Sequence, residues 1–149
     1  MKSLNKAVVS VFAREDEDFE AVKKTLLSLI PTDIEKEKIP LQRNTARGFE
    51  DKKIVVLKIE LEKPRHTNAF IKKLLNDLTQ KQKETLLKQA ESRLDEHMHF
   101  FIRLDKEGLL QGNHEITDSG DCFHIKLHIA AFPSKRLEAL KVIEKLLKP

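Results

Sequence analysis

Two-residue periodicity of apolar residues, found in three stretches of the chain, constrains its fold more than any other feature. From His97 to Leu104 the sequence reads HMHFFIRL, so one side of an extended chain carries Met98, Phe100, Ile102 and Leu104. The stretches IVVLKIEL (54–61) and CFHIKLHI (122–129) repeat this pattern. Because successive side chains of a β-strand point to opposite faces, each stretch is predicted to be a strand with one apolar and one polar side.

Helical periodicity separates these strands. We predict a strand over 5–14, a helix over about 16–30, a hairpin around Gly48, helical segments over 65–78 and 81–94, and a last helix beginning at Pro133. The segments 65–78 and 81–94 are either two helices or one bent helix. The stretch GLLQGNHEI (108–116) is predicted to be a further strand, between the strand that begins at His97 and the one that begins at Cys122.

The clean alternation also predicts the layers. A sheet with one apolar face is covered by helices on that face only, which gives an α+β two-layer sandwich with a mixed or mostly antiparallel sheet and an open second face. No repeat, low-complexity tract or linker divides the chain, so residues 1–149 are predicted to form a single domain. One cysteine and the lack of an export segment or a membrane-length apolar run predict a soluble, cytoplasmic protein.

Charge and aromatic residues are concentrated on the predicted open face. If the strands that begin at His97 and Cys122 share a sheet, the outward side chains form one surface: His97, His99, Phe101, Arg103, His124, Lys126 and His128. Arginine and lysine bind phosphates, and phenylalanine or histidine rings stack on unpaired bases, so this surface is typical of contact with single-stranded or irregular RNA. Residues 36–73 hold eleven basic against five acidic side chains. The hairpin within them is expected to extend the surface with Arg43, Arg47 and Lys52.

Other classes of function compete with this interpretation. The same face is equally suited to a homodimer contact, with Phe101 at the interface. A metal-dependent nuclease would need Glu115, Asp118 and Asp121, but these residues also have the composition of an ordinary turn. The six histidines show no metal-ligand spacing, and the four glycines form no phosphate-binding loop. We therefore predict neither an enzyme nor a metal or cofactor site.

The block ESRLDEHMHFFIRLDKEGLLQG (91–112) resembles the signature of archaeal RNA-binding proteins described as predicted exosome subunits. The matching positions are Arg93, Asp95, Glu96, Arg103, Leu104, Asp105, Lys106 and Gly112. The stretch VFAREDEDFEAVKKTLLSLIP (11–31) is similar to the start of that family. This chain departs from the pattern at Glu107, where glutamine is usual, at Leu109, where a small residue is usual, and in the hairpin, which is reduced to NTARG.

The resemblance implies a fold like that of ribosomal protein L-five and a non-catalytic RNA-binding role, in RNA processing or degradation near an exosome or in ribosome-related assembly. It also implies a homodimer. Arg103 and Lys106 are the first RNA-contacting candidates, although Lys106 next to Asp105 can also form a simple local ion pair. The further phosphate-contacting candidates are Arg43, Arg47, Lys52, Arg65 and Lys126, and the stacking candidates are Phe101, His97 and His99. The competing class is a protein-interaction subunit that uses the exposed sheet face.

Overall fold

The computed structural model describes residues 2–148, apart from the side chain of Phe49. Five strands and six helices follow one another in these residues. They are β1 (Leu4–Arg14), α1 (Phe19–Ser28), β2 (Leu41–Arg47), β3 (Lys53–Leu61), α2 (Pro64–Asp77), α3 (Gln80–Lys88), α4 (Ala90–Arg93), β4 (His99–Asp105), α5 (Lys106–Leu110), β5 (Cys122–Ile129) and α6 (Arg136–Leu147). A 3-10 turn, Phe49–Asp51, joins β2 to β3.

The strands form one antiparallel sheet with the order β2-β3-β1-β5-β4. Its inward residues, among them Val9, Leu57, Ile102 and Ile125, are fully or almost fully buried. They share one core with apolar residues of the helices, such as Phe70 of α2. The outward residues of the strands, including Phe12, do not belong to this core. The predicted α+β sandwich with helices on one face is therefore confirmed.

Local sequence signals explain where the helices begin. The Asp18 carboxylate accepts a hydrogen bond from the Ala21 N–H and caps α1. Proline occupies the first position of α2, where its missing N–H costs nothing. Thr79 and Gln82 form a reciprocal capping box that separates α3 from α2. The region 65–94, which the sequence left open as two helices or one bent helix, therefore forms α2, α3 and the short α4.

The prediction of a strand over 108–116 is wrong. The chain turns into α5 directly after β4, because the Asp105 carboxylate accepts the Gly108 N–H at 2.9 Å and caps the new helix. Gly112 follows with a φ of 89°, a conformation that favours glycine. The remainder of the stretch contributes an isolated bridge between Leu104 and Ile116. The residues that the structure describes thus form five strands, where the sequence predicted six.

Candidate functional site

The outward side chains of β4 and β5 stand in register. His99 lies opposite His128, Phe101 opposite Lys126, and Arg103 opposite His124. Strand β1 continues the surface on the other side of β5, with Lys6 opposite His128 and Ser10 opposite His124. The prediction that the two histidine-bearing strands share one outer surface is therefore confirmed. We call this surface, formed by the outward residues of β1, β3, β4 and β5, the open face.

The open face is concave, and its depression has a volume of about 450 Å³. Strand β1 supplies Val8, Ser10 and Phe12 to it, and β3 supplies Lys58 and Glu60. These β1 residues escaped prediction because VVSVF is apolar on both sides, so its two-residue period carries no signal for which side is buried. The remaining lining residues are Lys6, His99, Phe101, Arg103, His124, Lys126 and His128.

Positive charge is unevenly distributed over this face. Lys6 and Lys58 each lie 3.4 Å from a Glu60 carboxylate oxygen, so the β1–β3 half is largely neutralised. Within residues 2–148, neither Arg103 nor Lys126 forms a salt bridge. The β4–β5 half therefore carries two cations that lack an acidic partner among the described residues, and an anionic ligand is attracted to that half.

Aromatic rings lie beside these two cations. Phe101 is half-buried, and the Arg103 guanidinium carbon lies 5.8 Å from its ring centroid. Phe12 is 48% exposed, and its centroid lies 6.2 Å from that of the His124 ring. Apolar rings that stay accessible on a strand face can take up planar groups by stacking.

Three imidazoles cluster at one end of the open face. The ring centroids of His99 and His128 are 5.0 Å apart, and those of His97 and His99 are 6.5 Å apart. His97 lies in the turn before β4, with an exposed side chain, and contributes nothing to the central depression. Asp95 organises this turn by accepting the backbone N–H groups of His97 and His99 at 2.9 and 2.8 Å.

Burial, neighbouring charges and hydrogen bonds shift the pKa values of groups on and beside the open face. Burial, followed by the positive charge of Arg103, lowers the pKa of His124. Burial also lowers the pKa of His128, and the charges of His99, Lys126 and Lys2 add to this effect. Burial by itself would raise the pKa of Asp95, but the backbone hydrogen bonds from His99 and His97 lower it. His124 and His128 therefore favour the neutral form more than an exposed histidine does.

Lys106, one of the two leading RNA-contacting candidates from the sequence, is not on the surface. Its side chain is 3% exposed, and its ammonium group lies 2.9 Å from Glu17 and 3.1 Å from Asp121. It also donates a hydrogen bond to the Phe12 carbonyl. Arg14 adds a 2.7 Å contact to Asp121. Lys106 therefore joins the ends of β1 and β5 from within, and direct contact with a ligand would require it to leave three partners.

Lys126 lies on the open face, but the four other basic candidates are placed away from it. The register of β2 sets Arg43 opposite the inward Leu57, so it points to the helical side, where its guanidinium lies 4.5 Å from the Phe19 ring centroid. Arg47 is on that same side and donates to the Asp51 carbonyl. Strand β2 is also at the opposite edge from β4, four strand spacings or about 19 Å away.

Lys52 and Arg65 also lie away from the open face. Lys52 belongs to the exposed turn between β2 and β3, at the same distant edge of the sheet. Arg65 follows Pro64 in the first turn of α2, in the helical layer, and lies 2.8 Å from a Glu37 oxygen. The structure thus brings together His99, Phe101, Arg103 and Lys126, places His97 beside them, and sets Arg43, Arg47, Lys52 and Arg65 apart.

Arg93 holds the back of β4 in place. It is buried, and it donates to the Phe101 carbonyl at 3.2 Å, to the Gln89 side chain at 2.8 Å and to Asp118 at 2.7 Å. Burial lowers its pKa, although the charge of Asp118 acts in the opposite direction. This contact fixes the backbone that carries Phe101.

The acidic and thiol groups near the open face are engaged in the fold. Asp118 pairs with Arg93, and Asp121 pairs with Arg14 and Lys106. Cys122 lies 3.5 Å from the His124 Nε2, but burial raises the pKa of the thiol and keeps it protonated. Among residues 2–148, no group of three or more histidine, cysteine or acidic side chains is arranged to hold a metal ion. None of the helices in this part has the length and apolar character that crossing a membrane requires.

The sequence of this chain matches a protein family and a relative within the archaea. A family model described as RNA binding matches residues 6–130. The chain is 26% identical over 139 residues to the RNA-binding protein PAB1135 of Pyrococcus abyssi, which covers 93% of this chain and 90% of that protein.

Two solved structures are similar over nearly their whole length. Protein AF2318 of Archaeoglobus fulgidus has a TM-score of 0.85 at 29% identity and covers 96% of this chain and 99% of its own. Mth689 of Methanothermobacter thermautotrophicus has a TM-score of 0.80 at 28% identity and covers 98% of this chain and 99% of its own. Both are described as DUF54 proteins.

Proposed function

We propose, from the premise that this chain belongs to the RNA-binding family whose model matches it, that it binds RNA through the β4–β5 half of the open face. One observation carries the proposal. Arg103 and Lys126 stand side by side with the accessible ring of Phe101, and neither cation has an acidic partner among the described residues. Cations that the fold leaves unneutralised next to a free aromatic ring suit a phosphate backbone with unpaired bases.

The chemical roles follow from the side chains. Arg103 and Lys126 bind phosphate oxygens, which positions the RNA without reading its sequence. Phe101 and His99 offer ring faces on which unpaired bases stack, and the concave shape favours a single strand or a loop over a rigid duplex. Lys106 and Arg93 act through the fold, because they are buried behind the surface that they support.

Salt dependence tests this proposal directly. We expect binding of a fluorescent single-stranded RNA to weaken steeply with salt, and Arg103→Ala and Lys126→Ala each to reduce the slope of log affinity against log salt by about 1. Arg65→Ala is the control, because it removes an exposed arginine from the helical layer and should leave the slope unchanged. Equal effects of all three substitutions would indicate unspecific attraction and refute a site on the open face.

We further propose a non-catalytic accessory role, in RNA processing or degradation or in ribosome-related assembly. The acidic groups that a nuclease would need support this proposal, because Asp118 and Asp121 are already bound by basic side chains. End-labelled RNA should stay at full length after incubation with Mg²⁺ or Mn²⁺. RNA crosslinked to the protein in its own cells should be enriched in processing intermediates or in ribosomal RNA. The absence of both enrichments would contradict the accessory role.

A second candidate function rests on the other half of the open face. Val8, Phe12 and Val56 place apolar side chains at partly or fully exposed positions of β1 and β3. We propose this half as a homodimer contact that leaves the β4–β5 half to RNA. Sedimentation over a range of concentrations should show a dimer that Phe12→Ser dissociates, while Arg103→Ala leaves it intact. A monomer at every concentration would exclude the contact.

A further inference from the structure

A second groove lies where β1 begins and β5 ends. Its volume is about 550 Å³, and it is more open to solvent than the depression of the open face. Strand β1 and its flank, the segment after β5, and α6 all contribute to it. The residues that matter for its chemistry are Lys2, Asn5, Phe132, Glu138, Lys141 and Lys145.

Phe132 is the most unusual residue of this groove. It lies between β5 and α6, and it is 97% exposed. A ring that remains in water contributes nothing to the hydrophobic stability of the fold, so both of its faces are available to a ligand. Exposed aromatic rings beside basic grooves are the means by which single-stranded nucleic acids are held with little sequence preference.

The charge of the groove is positive. The helical spacing of Glu138, Lys141 and Lys145 places all three on one side of α6. Lys141 lies 3.4 Å from Glu138, which partly neutralises it. Lys2 approaches from the other wall, so three lysines face one glutamate along this groove.

The groove lies beside the end of the open face that carries His128. His128 is the last outward residue of β5 on that face and lies opposite Lys6. Two residues later the Ala130 N–H donates to the Ser3 carbonyl at 2.9 Å, which keeps the two chain segments together as they pass into the groove. Lys2 is near enough to His128 for its charge to add to the effect of burial on the histidine pKa.

We propose that this groove is a second contact for the same RNA strand, which leaves the open face past His128, stacks a base on Phe132 and places phosphates beside Lys141 and Lys145. The inference rests on the proposed function. The contact also goes beyond what the family match assigns, because Phe132 and α6 follow the matched residues 6–130. A strand that uses both surfaces must be longer than one that uses only the open face.

Length dependence separates the two surfaces. Oligouridines of about 4 to 16 nucleotides span the site sizes of comparable single-strand binders, and fluorescence anisotropy measures their affinity. We expect Phe132→Leu to weaken the longest oligomers by about fivefold or more, the lower limit for loss of one stacked base, and to leave the shortest within twofold. Phe132→Trp should retain the wild-type affinity because it keeps an aromatic face.

Charge variants provide the second readout. Lys141→Ala combined with Lys145→Ala should reduce the salt slope by about 2 for long oligomers only. The control is Lys24→Ala combined with Lys88→Ala, which removes two exposed lysines from α1 and α3 and should have no effect at any length.

The outcomes distinguish this inference from the proposed function. If Arg103→Ala weakens binding while Phe132→Leu leaves every length unchanged, the groove is not an RNA contact and the open face remains one. If the wild-type protein binds no oligomer and no structured RNA, the proposed function itself fails. If Phe132→Ala changes the sedimentation of the protein without changing RNA affinity, the exposed ring serves a protein contact, which also overturns the inference.

Discussion

Replacement of Lys106 by methionine separates a structural role from a binding role. The substitution keeps most of the apolar stem and removes the ammonium group that contacts Glu17, Asp121 and the Phe12 carbonyl. Removal of one partner from a buried ion pair costs about 3–5 kcal/mol. Arg14 still lies 2.7 Å from Asp121 and 3.8 Å from Glu17, and Asp121 is 37% exposed, so water and Arg14 compensate part of the loss. We therefore expect the free energy of unfolding to fall by about 2–3 kcal/mol.

Urea denaturation followed by circular dichroism measures this loss. With a slope of about 2 kcal/mol per molar urea, the unfolding midpoint should fall by about 1–1.5 M. Lys126→Met is the matched control. It also converts lysine to methionine, but at an exposed strand position, and should change stability by less than about 0.5 kcal/mol.

The pH dependence of the same loss provides a further check. Burial would raise the pKa of Asp121, but the hydrogen bonds from Arg14 and Lys106 lower it below its usual value. A carboxylate with a lowered pKa stabilises the fold above the unfolded value of about 3.9, and this contribution is lost as the pH falls through the folded pKa. The difference between wild type and Lys106→Met should therefore narrow below about pH 4.

RNA affinity decides between the two roles. The folded fraction of Lys106→Met should bind RNA within twofold of wild type, whereas Lys126→Met should bind more weakly. A Lys106→Met protein that is as stable as wild type but binds RNA poorly would refute the structural assignment, and it would support the contact that the sequence block around Lys106 implied.

Three further perturbations have defined outcomes. Arg93→Met should destabilise the protein by about 2 kcal/mol, because the Phe101 carbonyl and Asp118 lose a charge-assisted donor. Urea denaturation measures this loss, and an unchanged unfolding midpoint would contradict the anchoring role of Arg93. Burial lowers the pKa of His124, so below about pH 6.5 the unfolded chain takes up a proton on this imidazole more readily than the folded protein does. The free energy of unfolding should therefore fall from about pH 7 to 5, and His124→Gln should flatten this pH dependence. Thr79→Ala removes the capping box of α3 and should cost about 1 kcal/mol in thermal denaturation without any effect on RNA affinity.

Alternation was sufficient to predict the layers of the fold and the main part of the candidate site. The inward and outward sets of β4 and β5 could be assigned from the sequence because one side of each strand is purely apolar. The same reasoning could not place Arg43. Its side of β2 depends on the register of the hairpin, which is set by a turn with positive φ at Glu50 and Asp51. A run of polar residues such as QRNTAR carries no record of that register.

Lys106 and α5 escaped prediction for a different reason. The acceptors of Lys106 come from the end of β1, the turn before α1 and the turn before β5, and its partner Glu17 is 89 residues away in the chain. Ionic contacts of this range leave no periodic trace in a sequence. Helix α5 has five residues, fewer than two turns, so the capping position of Asp105 was its main local signal.

The separation of side chains by strand parity has an evolutionary consequence. In β5 the odd-numbered residues from Phe123 to Ile129 are buried in the core, whereas the even-numbered residues from His124 to His128 lie on the open face. On the proposed function, a substitution at Lys126 alters the contact with RNA at almost no cost in stability, while one at Ile125 is constrained by the volume and the polarity of the core. Relatives that share this architecture are free to diverge in specificity along every second position of the same strand.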